Sequence, residues 1–123
     1  MKTILIAEDT ESVRKFMQIA LKLSDFDVVP VTNGKSALEV LSLTTIDLLI
    51  TDIRMPEIDG ITLIKTIREM PNYKDLPIIV LTGLGKEQVQ LAMDIGANSW
   101  LPKPFNAKRM QAEINKYLKQ PNS

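Results

Sequence analysis

The sequence predicts one α/β domain built on a parallel β-sheet. Short apolar runs alternate with longer segments of helical period, the pattern made by parallel strands joined through crossover helices. The 123 residues are enough for one compact domain and too few for two. Area scaling lets about two thirds of the extended chain's surface be buried, so a core can form without disulfides.

The first strand is expected at Ile4–Ala7, an apolar run that stops at Glu8. A helix follows, because Val13, Phe16, Met17, Ala20 and Leu21 share one helical stripe. The second strand is Val28–Val31, and Ala37, Val40 and Leu41 mark the second helix. Leu48–Thr51 form the third strand; Leu63, Ile64 and Ile67 mark the third helix, opened by Asp59-Gly60. Ile78–Thr82 form the fourth strand.

The helical segment after it, about residues 85–95, carries two apolar stripes. Leu91, Ala92 and Ile95 are expected in the core. Val89 and Met93 are expected beside Trp100 on a partner-binding or dimer surface, with Lys108 and Arg109 nearby. Ser99–Leu101 form the fifth strand, and Met110, Ile114, Tyr117 and Leu118 mark the last helix, with Asn106 as its N-cap. The domain is expected to run over 1–119, leaving Gln120–Ser123 as a fraying tail.

Fifteen basic residues balance fifteen acidic ones, so no global field draws the chain to nucleic acid or to an acidic membrane. The balance is uneven, with ten acids against six bases over residues 1–59. The absence of Cys fits a reducing compartment and excludes sulfur-ligated metal; the absence of His excludes imidazole relays and imidazole ligands. Any metal is then held by oxygen, which leaves Mg²⁺, Mn²⁺ or Ca²⁺. No run approaches the eighteen apolar residues of a membrane span, and a cytoplasmic protein is expected.

In an open parallel sheet, ligands bind beyond the carboxyl ends of the strands. The residues ending the runs are Glu8 and Asp9, Thr51 and Asp52, and Thr82, with Lys103 just past the fifth. Singly, each has an ordinary reading. Glu8 and Asp9 suit the start of a helix, Asp52 a turn before Pro56, Thr82 a loop, and Lys103 the surface. Together they bring three carboxylates to one sheet edge, where each pair at 4–6 Å costs about 3–4 kcal/mol at an effective dielectric near 20. A divalent cation is the natural occupant. With it in place, Asp52 becomes a nucleophile toward a phosphoryl group whose oxygens Lys103 and Thr82 attract.

These residues carry a family resemblance. Glu8-Asp9, the segment Asp52-Ile53-Arg54-Met55-Pro56-Glu57-Ile58-Asp59-Gly60, Leu81-Thr82-Gly83 and Leu101-Pro102-Lys103-Pro104-Phe105 resemble, in order and spacing, the receiver domain of bacterial response regulators. The stand-alone chemotaxis regulator is the type most similar. The resemblance implies a doubly wound, flavodoxin-like (CheY-like) sheet of strand order 2-1-3-4-5 with five helices, and an aspartyl-phosphate switch. It makes Asp52 the phosphoacceptor, with Asp9, Asp52 and the Arg54 backbone carbonyl as Mg²⁺ ligands and Glu8 as the second acidic position, which holds the ion through water. Thr82 and Lys103 match the residues that read the phosphate, and Trp100 matches the switch aromatic. The Lys103-Pro104 bond is expected to be cis. Glu8, Gly83 and Trp100 depart from the commonest family residues.

The resemblance further implies a sensor histidine kinase or phosphotransfer protein as donor, and a protein target or a second copy of the chain at the face formed by the fourth helix, fifth strand and fifth helix. Arg54 and Leu84 match positions flanking the water that hydrolyses the phosphate, where a bulky Leu84 favours a persistent phosphoryl group. A dehalogenase-like phosphatase would need an acid two residues after the nucleophile, where Arg54 stands. A flavin module would need a glycine- and hydroxyl-rich loop in place of Glu8-Asp9. A scaffold that merely keeps the fold would have no use for Asp9, Asp52, Thr82 and Lys103 together.

Overall fold

The computed structural model describes residues 1–83 and 85–118. Five strands, β1 (Thr3–Ala7), β2 (Asp27–Val31), β3 (Leu48–Asp52), β4 (Ile78–Thr82) and β5 (Ser99–Pro102), alternate with α1 (Glu11–Leu23), α2 (Gly34–Leu43), α3 (Gly60–Glu69), α4 (Lys86–Asp94) and α5 (Ala107–Asn115). All pairings are parallel and the order is β2-β1-β3-β4-β5, as the family resemblance implied. Each expected strand is present within a residue or so of its expected ends.

Alternation along the central strands builds two cores. Ile4, Ile6, Leu48, Ile50, Ile79 and Leu81 turn to one face, where they meet Met17 and Leu21 of α1 and Met110 and Ile114 of α5. Leu5, Leu49, Ile78 and Val80 turn to the other, against Ala37 and Leu41 of α2, Leu63, Ile64 and Ile67 of α3, and Ala92 of α4. Covered on both sides, β1, β3 and β4 read as unbroken apolar runs.

Side-chain caps fix where three helices begin. Asn33, Asp59 and Asn106 each accept from the backbone N–H three residues on, at 2.8 Å, so the expected Asn106 cap is present. Thr10, at the N-cap of α1, makes no such bond.

At the sheet margin, the Asp27 amide donates to the Lys2 carbonyl and the Val31 carbonyl accepts from Glu8. The odd-numbered residues of β2 therefore bond inward to β1, and Pro30 faces the outer edge.

Two expectations change. Phe16, on the same stripe as Met17 and Leu21, is 40% exposed and instead meets the Phe105 ring at 6.0 Å. On α4, Leu91 is 41% exposed, whereas Met93 packs with Ile95 against the core that holds Ala92. The assignments of Leu91 and Met93 are thus exchanged, because α4 lies on its layer through Ala92 and Met93, one residue along from the face expected. The tail at 120–123, the domain end at 119 and Leu84 lie outside the described residues.

Candidate functional site

The chain order reverses between β1 and β3, and the functional side chains gather beyond the carboxyl ends of these two strands. Burial of Ile53 and Met55 draws the loop after β3 into the core and leaves Arg54 between them exposed. The loop returns so closely that the Gly60 amide donates to the Ile53 carbonyl at 2.7 Å, and a Cβ on Gly60 would overlap the Asp52 carbonyl oxygen. Only glycine allows the start of α3 to pack there.

Glu8, Asp9 and Asp52 converge, with one carboxylate oxygen of each within 4.8 Å of the others. Glu8 is fully buried, Asp52 is largely so and Asp9 is exposed. Asp52 is held from two sides. Its Oδ1 accepts from the Ile53 amide at 2.8 Å, and its Oδ2 accepts from Lys103 Nζ at 2.6 Å. The same ammonium lies 2.6 Å from Glu8 Oε1.

Charge crowding shows in the ionisation of these groups. Burial, reinforced by the neighbouring Asp52 carboxyl, pushes Glu8 up to about 7 despite the Lys103 ammonium. Burial alone would lower Lys103, but Asp52 and Glu8 outweigh it and raise the ammonium above its ordinary value.

A hard divalent cation fits this donor set. The three acids offer only oxygen, and while Oε1 of Glu8 is paired with the Lys103 ammonium, its buried Oε2 has no hydrogen-bond partner among the described residues. An unpaired buried acceptor is costly, and a cation or its water shell would satisfy it.

The other expected residues line the same edge or the face leading from it. Leu81 pairs with Asp52 in the sheet, so the buried Thr82 stands one residue beyond the level of Asp52 on the adjacent strand. The Lys103 amide donates to the Thr82 carbonyl at 2.9 Å, and Lys103-Pro104 is cis, as expected. Trp100 pairs with Val80 but is 43% exposed, and it lines a surface pocket with Lys86, Val89 and Gln90. Arg54 faces Gly85, Lys86, Glu87 and Gln88 across an open groove.

Sequence reasoning missed two arginines. Arg14 Nη1 donates to the Glu8 carbonyl at 2.9 Å. Arg68 donates to the Gly96, Tyr73 and Lys74 carbonyls and to Asn98 Oδ1, tying α3 to the turn between α4 and β5. Most of these acceptors are backbone carbonyls, which leave no mark in a sequence.

Comparison with known proteins agrees with this geometry. The profile of the family described as "Response regulator receiver domain" matches residues 4–115. The transcriptional regulatory protein CpxR of Escherichia coli (strain K12) is 33% identical over 121 residues, 98% of this chain and 50% of that protein. The chain spans about half the length of the curated relatives it matches. The chemotaxis response regulator CheY4 of Vibrio cholerae superposes with a TM-score of 0.91 at 29% identity, over 96% of this chain and 99% of that one. A sensor histidine kinase receiver domain from Pseudomonas aeruginosa PAO1, with magnesium coordinated in its active-site cleft, superposes with a TM-score of 0.86 at 26% identity, over 94% and 96% of the two chains. Transcriptional and chemotaxis regulators both stand among these relatives, so the likeness does not single out the chemotaxis type.

Proposed function

The chain belongs to the response regulator receiver domain family, and on that premise we propose that it is the phosphorylation-driven switch of a two-component relay, taking a phosphoryl group onto Asp52. One observation carries this reading: three acidic oxygen donors lie within 4.8 Å of one another while a single ammonium bridges two of them.

The donor is the phosphohistidine of a sensor kinase or phosphotransfer protein, since the chain contains no histidine. A carboxylate oxygen of Asp52 attacks phosphorus, forming a P–O bond as the P–N bond breaks, and the donor imidazole leaves with the electron pair. The Ile53 amide and Lys103 orient the carboxylate before the donor arrives. Glu8, Asp9, Asp52 and the Arg54 carbonyl would hold Mg²⁺, or Mn²⁺ in its place, which when bound offsets negative charge on the carboxylates and the transferred group.

Lys103 then turns to the phosphoryl oxygens, and Thr82 moves toward them. Trp100 takes the space Thr82 leaves, and the change reaches a protein target, or a second copy of the chain, through α4, β5 and α5. The protein catalyses its own phosphorylation and dephosphorylation and no other reaction. The same reading puts it in the cytoplasm, with no direct contact to nucleic acid or membrane; no helix among the described residues is long and apolar enough to cross one.

The test combines Mg²⁺ titration, followed by Trp100 fluorescence and calorimetry, with intact-mass measurement after adding acetyl phosphate. The expected result is saturable Mg²⁺ binding and a single phosphoryl adduct that Asp52→Asn abolishes. An adduct that survives Asp52→Asn, or sustained turnover of phosphate esters, would overturn it.

A further inference from the structure

Resting on the reading of Glu8, Asp9 and Asp52 as a cation site, we propose that Arg14 is a positioning residue that fixes the acid-bearing loop between β1 and α1. This loop supplies two of the three acids, yet it lacks the fastening used elsewhere in the molecule. Asn33, Asp59 and Asn106 cap α2, α3 and α5 with their side chains, whereas Thr10 makes no side-chain cap at α1.

Arg14 takes over that task from within the helix. Its amide donates to the Thr10 carbonyl at 3.0 Å, and its guanidinium reaches back so that Nη1 donates to the Glu8 carbonyl at 2.9 Å. The Glu8 carbonyl belongs to the planar peptide that joins Glu8 to Asp9, so anchoring that oxygen orients the bond from which Asp9 projects. On the other side, the Glu8 amide donates to the Val31 carbonyl at 3.1 Å. Both peptide planes flanking Glu8 are thereby pinned, one to β2 and one to α1.

Among the described residues Arg14 makes no ion pair, and the cation that contacts Glu8 is Lys103. Arg14 therefore acts through the backbone, not as a counter-ion to the acids. The two roles predict opposite signs. A cation beside the site repels Mg²⁺, so removing its charge alone would tighten binding. Removing a group that orients ligands weakens binding.

The experiment is calorimetric titration with Mg²⁺ alone of the unaltered protein, Arg14→Met and Arg14→Lys, with amide hydrogen exchange at Asp9 and Thr10. Arg14→Met is expected to bind Mg²⁺ about tenfold more weakly, the usual scale for groups that orient metal ligands, and to exchange faster at both amides. Binding by Arg14→Met as tight as, or tighter than, that of the unaltered protein overturns the proposal. Should Arg14→Met fail to fold, Arg14→Lys decides, because it keeps the charge and replaces the Nη1 donor that reaches the Glu8 carbonyl with a shorter side chain: equal affinity overturns the proposal and a several-fold loss supports it. Absence of Mg²⁺ binding by the unaltered protein sinks the site reading itself, and the exchange rates then decide alone whether Arg14 fastens the loop.

Discussion

Glu8 shows how burial turns one carboxyl into a source of pH dependence. Its value of about 7 lies above the ordinary 4.5, so the folded protein holds this proton more tightly than the unfolded chain. The stabilisation is complete below about pH 4.5 and is lost as pH rises through 7. Lys103 is raised from an ordinary value of 10.5 and stays charged across this window. In metal-free protein, urea unfolding should therefore show stability falling between pH 4.5 and 7.5 by on the order of 3 kcal/mol, and Glu8→Gln should flatten that slope. An unchanged slope in Glu8→Gln would assign the dependence to another group. The positions of Glu8, Asp9, Asp52, Thr82 and Lys103 were legible in the sequence because each ends a strand or follows one closely. The environment of Glu8 was not, because burial is decided by tertiary packing around the strand end and not by the local sequence.

At the scale of elements, the start of α3 and the face of α4 make separate predictions. A methyl group on Gly60 would meet backbone at the Asp52 carbonyl, and the loop that follows Asp52 would have to shift. Gly60→Ala should cost about 3 kcal/mol in chemical denaturation, toward the upper end of overpacking effects, and should slow acetyl phosphate uptake as well. On α4, Met93→Asp buries a charge against the core and should destabilise by about 1–3 kcal/mol. Leu91→Asp, at a site already 41% exposed, should stay within about 0.5 kcal/mol. The opposite ranking would restore the sequence-based assignment. That assignment failed for a physical reason: nine residues with apolar side chains on both stripes give no strong direction, and the sheet face chooses the seam. The stripe of α3 was legible because Leu63, Ile64 and Ile67 form a single cluster, and all three are buried.

For the molecule as a whole, a cation bound only by the folded state adds stability by mass action. At a Mg²⁺ concentration of 100 times Kd the gain is about 2.7 kcal/mol, which for a chain of this size raises Tm by roughly 10 °C. Asp52→Asn should remove much of that shift in differential scanning calorimetry; a shift of equal size in the variant would place the ion elsewhere. Strand number and the alternation of strands with helices were legible from periodicity, while the strand order came from family likeness, since apolar runs do not reveal their neighbours. Pro30 has a consequence for assembly. Sheets enlarge when another backbone finds donors along their rim, and here the imino acid withholds one near the carboxyl end of β2. Polymers zipped together by a sixth strand on that flank are disfavoured, and crowded solutions of the protein are protected there from ribbon-like aggregation.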